Sequence, residues 1–224
     1  MTSEIAMASK EPEAPMPLNA ATTPTAAVPA TAATTARGHF GGAYSQIAVA
    51  ARSGRVARLV LNSCEIPYDE FPPPPFDGLP ATARDPETLG ALPGALRDPE
   101  VRRLPAAYGL LVKHPVEAHV SDSYALPCLH DADILRDTAK VMSSAEAAPV
   151  HRAGARLIES FGGPVLLAWS PKDQVFAPEH ARRYADALPD GRLELIADAY
   201  SFTPEDQPAA LAGALAAFAG ARRT

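Results

Sequence analysis

Histidine, cysteine and carboxylate side chains gather between residues 114 and 133, at His114, His119, Cys128, His130, Asp131 and Asp133. Side chains of these types can hold a divalent metal when their spacing brings them to one side of a turn or helix. His114 and His119 stand five apart with Pro115 between them, which fits neither an i, i+4 helical pair nor a Cys-x-x-Cys knuckle. These residues read as scattered polar positions on loops, and no metal or other cofactor is expected. His39 and Asp173 form a second candidate set, a base and the acid that could orient it. Asp173 follows the apolar run Pro164 to Trp169, PVLLAW, and functional groups of a parallel sheet gather on loops at the carboxyl ends of its strands. A stand-alone dyad of the two lacks a visible nucleophile and an oxyanion donor. His180 falls early in a helical pattern and reads as a solvated surface residue.

The elements that must position these groups follow from pattern. Gly38 to Arg58 reads as a glycine turn at Gly41-Gly42, a helix through Ile47 to Ala51, and a stop at Gly54 in a left-handed conformation. Leu59, Val60 and Leu61 form a short apolar run of the kind buried in a parallel sheet. From Glu65 to Pro149 the chain is broken by Pro72 to Pro75, Pro80, Pro86, Pro93, Pro99, Pro105 and Pro115, which predicts short helices and loops. Within it, Asp131 to Ala145 predicts a helix capped by Asp131, with Ile134, Thr138, Val141 and Met142 on one face. Further helices are expected over Val150 to Phe161 and Pro178 to Leu188, and strands over Pro164 to Trp169 and Arg192 to Ala197. Thr203 and Asp206 suggest a capping box with Pro204 at the first helical position, and Leu211, Leu215 and Phe218 share one side of the last helix.

Composition narrows the function classes. The chain has 224 residues, 47% of them hydrophobic, and a formal charge of −6, with no apolar run long enough to span a membrane. Basic residues are scattered and the net sign is wrong for a nucleic-acid surface. Neither a nucleic acid nor a membrane is expected as partner. Two cysteines make no disulfide framework, and the start carries no basic segment leading into an apolar core, so a cytoplasmic location is expected. Residues 1 to 37 are Ala, Thr and Pro with few large apolar side chains, too little to offset the entropy of ordering, and are expected to be disordered.

The stretch Gly38-His39-Phe40-Gly41-Gly42-Ala43-Tyr44-Ser45-Gln46, with RLVLNSC at residues 58 to 64, resembles the α/β-hydrolase fold superfamily. The branch it resembles is that of haloalkane dehalogenases, epoxide hydrolases and related esterases. The resemblance implies an α/β class: a partial hydrolase fold whose parallel sheet lacks its N-terminal strands, since 37 low-complexity residues cannot encode five strands with crossovers of about 30 residues each. Residues 38–64 and 150–224 would form the core, and residues 65–149 a helical cap insertion over the site. His39 stands at the position of the nucleophile, where the family uses Ser, Asp or Cys; a second alignment makes Gly38-His39 the opening of a Gly-His-Ser-x-Gly-Gly motif without its serine. Ser45 lies farther along the helix, away from the turn. Asp173 takes the place of the acid that orients the family's histidine, with Glu65 and Asp69 as alternatives after the preceding strand. Ser201, in Asp198 to Glu205, stands where the family keeps that histidine, and a hydroxyl does not accept a proton near neutral pH as imidazole does.

The function implied is hydrolysis of a small ester, epoxide or haloalkane by a truncated, weakly active or inactive chain. The alternative is a catalytically dead homologue that serves as a binding or interaction module. A small-molecule substrate is the expected ligand of an active chain. Self-association through the exposed edge of the Leu59 to Asn62 strand is expected of either form.

Overall fold

The computed structural model describes residues 39–74 and 76–220, so the expectation of disorder for residues 1–37 lies outside the described residues. Helix α1 spans His39–Ala51, and a short 3-10 turn at Ser53–Arg55 leads to strand β1, Leu59–Asn62. Gly41 and Gly42 are inside α1, so the chain makes no glycine turn there. Its helix stops at Ala51 and Gly54 sits in the 3-10 turn without a positive φ, so no left-handed glycine closes it.

A run of short helices and loops follows, as the proline spacing predicts. It holds α2 (Leu79–Thr82), α3 (Pro86–Ala95), α4 (Pro99–Arg102), a wide turn at Pro105–Gly109, α5 (Ala118–His130) and α6 (Ala132–Ser143). Asp85, Asp98 and Asp131 cap α3, α4 and α6 by accepting from backbone N–H groups of the first turn, the capping chemistry of Asp at that position. The apolar face of α6 differs from the expected one. Ile134 and Val141 are 41% and 42% exposed, while Leu135, Thr138, Ala139 and Met142 face inward. The face is turned by about one residue because α6 packs against α2, α3 and α5.

The chain returns through α7 (Ala147–Ser160), β2 (Val165–Trp169), α8 (Pro178–Ala187), β3 (Gly191–Leu195), α9 (Thr203–Asp206) and α10 (Pro208–Gly220). Among the described residues the sheet has three parallel strands in the order β1-β2-β3, with Leu59 opposite Val165 and Val165 opposite Gly191. The period of two divides its faces. Leu59, Leu61, Val165, Leu167 and Trp169 pack with Val49 of α1, Leu157 of α7 and Tyr184 of α8, whereas Val60 and Leu166 meet Phe218 of α10. Burial on both faces is what makes β1 and β2 continuous apolar runs. Gly154 of α7 permits close approach of the loop after β1: a Cβ there would lie 1.8 Å from Pro67 Cγ.

The expected capping box at Thr203 does not form. Thr203 Oγ1 is tied to Asn62, no side chain caps α9, and a break at Gln207 separates α9 from α10, where Pro208 starts a new helix. No helix among the described residues is long and apolar enough to cross a membrane.

Candidate functional site

The loops at the carboxyl ends of all three strands meet at one place, as they do in open parallel sheets. Asn62 ends β1, and its Nδ2 donates to Ala168 O (2.8 Å) and Thr203 Oγ1 (2.7 Å), while the Thr203 hydroxyl returns a bond to Asn62 Oδ1 (3.0 Å). Ser63 follows with φ 31°, a left-handed conformation that is uncommon outside glycine and held here by its buried surroundings. Asp173 lies on the loop after β2, where Oδ1 accepts from Val175 N and Phe176 N at 2.9 Å each. Ser201, on the loop after β3, donates its hydroxyl to the same Oδ1 at 2.6 Å. Asp173 Oδ2 is buried and without a well-formed hydrogen bond.

Burial pushes the Asp173 carboxyl up from its ordinary range, against the opposing pull of the Ser201 hydroxyl, the Phe176 and Val175 amides and the Ser63 hydroxyl. Two more acids sit behind it. Glu65 is buried with both carboxylate oxygens unpartnered, and desolvation raises it well above the usual carboxylate range, with Asp69 adding to the effect. Asp69 is raised by burial as well, opposed by His180, whose Nδ1 lies 2.7 Å from Asp69 Oδ1. His180 keeps a half-exposed side chain but is not merely solvated: it pairs with the buried Asp69 carboxylate and meets Tyr68 edge to face. Cys64 is fully buried, and burial pushes its thiol up, which makes it inert as a nucleophile.

A cavity of about 550 Å³ opens beside this network, between the loop after β3 and the helical cap. Asn62, Ser201, Phe202, Pro204 and Glu205 line it. Tyr108 and Tyr124 reach it from the cap. The cap is held in place by Asp206, whose carboxylate accepts from Lys113 N, His114 N and Tyr200 N, and by Phe202 N donating to Leu111 O (2.7 Å). Tyr124 donates its hydroxyl to Glu205.

The residues singled out in the sequence are thus divided. Asp173 and Ser201 are brought into direct contact, while His39 heads α1 with its side chain outside the described residues. His114 approaches Asp198 (3.3 Å) and His119 approaches Glu117 (3.4 Å), which places them in separate surface pairs; among the described residues no group of three or more His, Cys, Asp or Glu side chains could hold a metal. Thr203 and Asp206, expected to form a capping box, serve the site instead, Thr203 through Asn62 and Asp206 through the amides of Lys113, His114 and Tyr200, and the pattern assigns no site role to Asn62, Tyr108 or Tyr124. Asn62 carries a faint signal, a polar residue ending an apolar strand, but nothing local marks Tyr108 or Tyr124.

No protein-family model matches the chain and no curated protein matches its sequence. Solved structures do resemble it. An α/β-hydrolase fold protein from Burkholderia ambifaria is 19% identical with a TM-score of 0.60, over 79% of this chain and 62% of that one. A variant of a haloalkane dehalogenase from Agrobacterium tumefaciens is 16% identical with a TM-score of 0.59, over 82% and 65%. An esterase from Exiguobacterium antarcticum is 13% identical with a TM-score of 0.54, over 82% and 65%. This chain spans less than two thirds of the length of each.

Proposed function

We infer, from the part of an α/β-hydrolase fold that this chain carries, that the cavity between cap and strand ends is the substrate pocket of a hydrolase for a small ester, epoxide or haloalkane. Turnover by this chain is slow. The observation that carries the reading is the bond from Ser201 to Asp173 beside the cavity. In this reading Asp173 would be the acid of a hydrolytic site, yet the hydroxyl that meets it cannot take up a proton near neutral pH. A nucleophile would therefore lack its activating base. His39, at the nucleophile position, supplies neither an oxygen nor a sulfur to attack with.

The alternative reading, a binding or interaction module without turnover, is favoured by the same Ser201 contact. A turnover assay with a short-chain aryl ester on the purified full chain, repeated on Asp173→Ala, separates the two. The hydrolase reading expects a slow rate that falls at least tenfold in the variant; activity that survives the substitution belongs to another site, and no activity at all favours the module. Both cysteines are free thiols, which supports a reducing cytoplasmic setting.

A further inference from the structure

A second, smaller cleft, of about 250 Å³, is formed by the end of α4 and the segment that leads from the wide turn into α5. Four basic side chains line it: Arg102 and Arg103 at the end of α4, and Lys113 and His114 from the later segment. Pro99, Val112 and Val116 add apolar surface, and the cleft shares Tyr108 with the larger cavity. The wide turn brings the two segments together. Gly109 N donates to Leu104 O at 3.0 Å, and a Cβ on Gly109 would lie 2.1 Å from Arg103 O, so glycine is what lets the chain double back this tightly. Asp206 fixes the later segment by accepting from Lys113 N and His114 N.

The charges here do not cancel. Arg103 meets Glu100, and Lys113 and His114 share Asp198. Arg102 donates through Nη1 to two neutral carbonyls, Leu96 O and Arg97 O, at 3.1 Å each. Among the described residues, three permanent cations and a histidine thus stand with two carboxylates. A guanidinium that spends one nitrogen on carbonyls keeps N–H groups on the other two, and its planar fork matches the oxygens of a carboxylate or a phosphate. We propose that this cleft binds a small organic anion, its carboxylate or phosphate group held by Arg102 and Arg103 with Lys113 and His114 adding positive charge. At about 250 Å³ the cleft exceeds a bare oxyanion, so the ligand carries an apolar body that lies against Pro99, Val112 and Val116.

This site lies beside the proposed substrate pocket, and its test does not depend on turnover. The full chain is titrated, by chemical-shift perturbation, with benzoate, with phenyl phosphate and with benzamide, a neutral molecule of nearly the same shape as benzoate. At least one charged probe is expected to bind about tenfold more tightly than benzamide, to shift the amides of Gly109 and Val116, and to weaken as salt is raised. Whichever charged probe binds more tightly identifies the oxyanion as carboxylate or phosphate. Arg102→Gln is expected to remove most of the preference over benzamide. Arg103→Gln leaves the carbonyl bonds of Arg102 in place and alters an exposed side chain, so it tests the site without disturbing the fold; it should weaken the charged probes about threefold and leave benzamide unchanged. Equal affinity for charged and neutral probes, no binding of either charged probe, shifts that fall on Tyr124 and Ser201 in place of Gly109 and Val116, or a preference unchanged in both variants would each overturn the inference.

Discussion

Ser201 and Asp173 form the contact that ties the loop after β3 to the loop after β2. The Ser201 hydroxyl is one of three donors to Asp173 Oδ1, and it opposes the upward pull of burial on that carboxyl. Ser201→Ala should raise the Asp173 titration further and cost about 1 kcal/mol of stability, since the two amide donors remain; an unchanged carboxyl titration in a carbon-13 NMR pH series would refute the argument. Glu65 gives a second prediction. Its carboxyl holds its proton more tightly in the folded chain than in the unfolded one, so the stability it contributes is complete below the unfolded value of about 4 and is lost as pH rises through the raised folded value. Asp69 and Asp173 are shifted in the same direction and add to the slope. Glu65→Gln removes this titration, so its melting temperature should exceed the parent's at pH 8, by the equivalent of about 1 to 3 kcal/mol, with the gap closing near pH 4.

At the scale of elements, what fixes the cavity is the docking of the cap onto the loop after β3. One carboxylate, Asp206, gathers amides from Lys113 and His114 at the edge of the cap and from Tyr200 on that loop. Asp206→Ala leaves those donors without an acceptor and should cost about 1 to 3 kcal/mol. Hydrogen exchange locates the damage: the amides of Lys113, His114 and Tyr200 should exchange markedly faster while those of β2 keep their protection. Uniform loss of protection across β2 would mean that the cap and the sheet open together.

For the whole molecule, the three-stranded sheet poses a question of edges. β1 is an outer strand of the described sheet although Leu59, Val60 and Leu61 are almost wholly buried on its two faces. An outer strand this apolar is a template for pairing with another chain. Sedimentation velocity of the full chain should therefore show association that grows with concentration; a monomer with a sharp, cooperative melt over the same range would count against it.

The order of strands and helices from Leu59 onward was legible in the sequence because buried parallel strands are continuous apolar runs and amphipathic helices repeat every 3.6 residues. β2, α7 and α8 fall within a few residues of where that pattern puts them. Asp173 could be singled out for the same reason, as a carboxylate on the loop after such a run. Partners across the chain were not legible. Thr203 has the local look of a cap, yet its hydroxyl serves Asn62, 141 residues away. His180 has the local look of a surface residue, yet Asp69, 111 residues away, claims it. Periodicity reports which face of an element turns inward, so even α6 could be placed and its face misjudged by one position. Which residue waits on the other side, and hence the Ser201 contact, the Asp206 clamp and the aromatic cavity, is decided when loops distant in sequence are packed at the same strand ends.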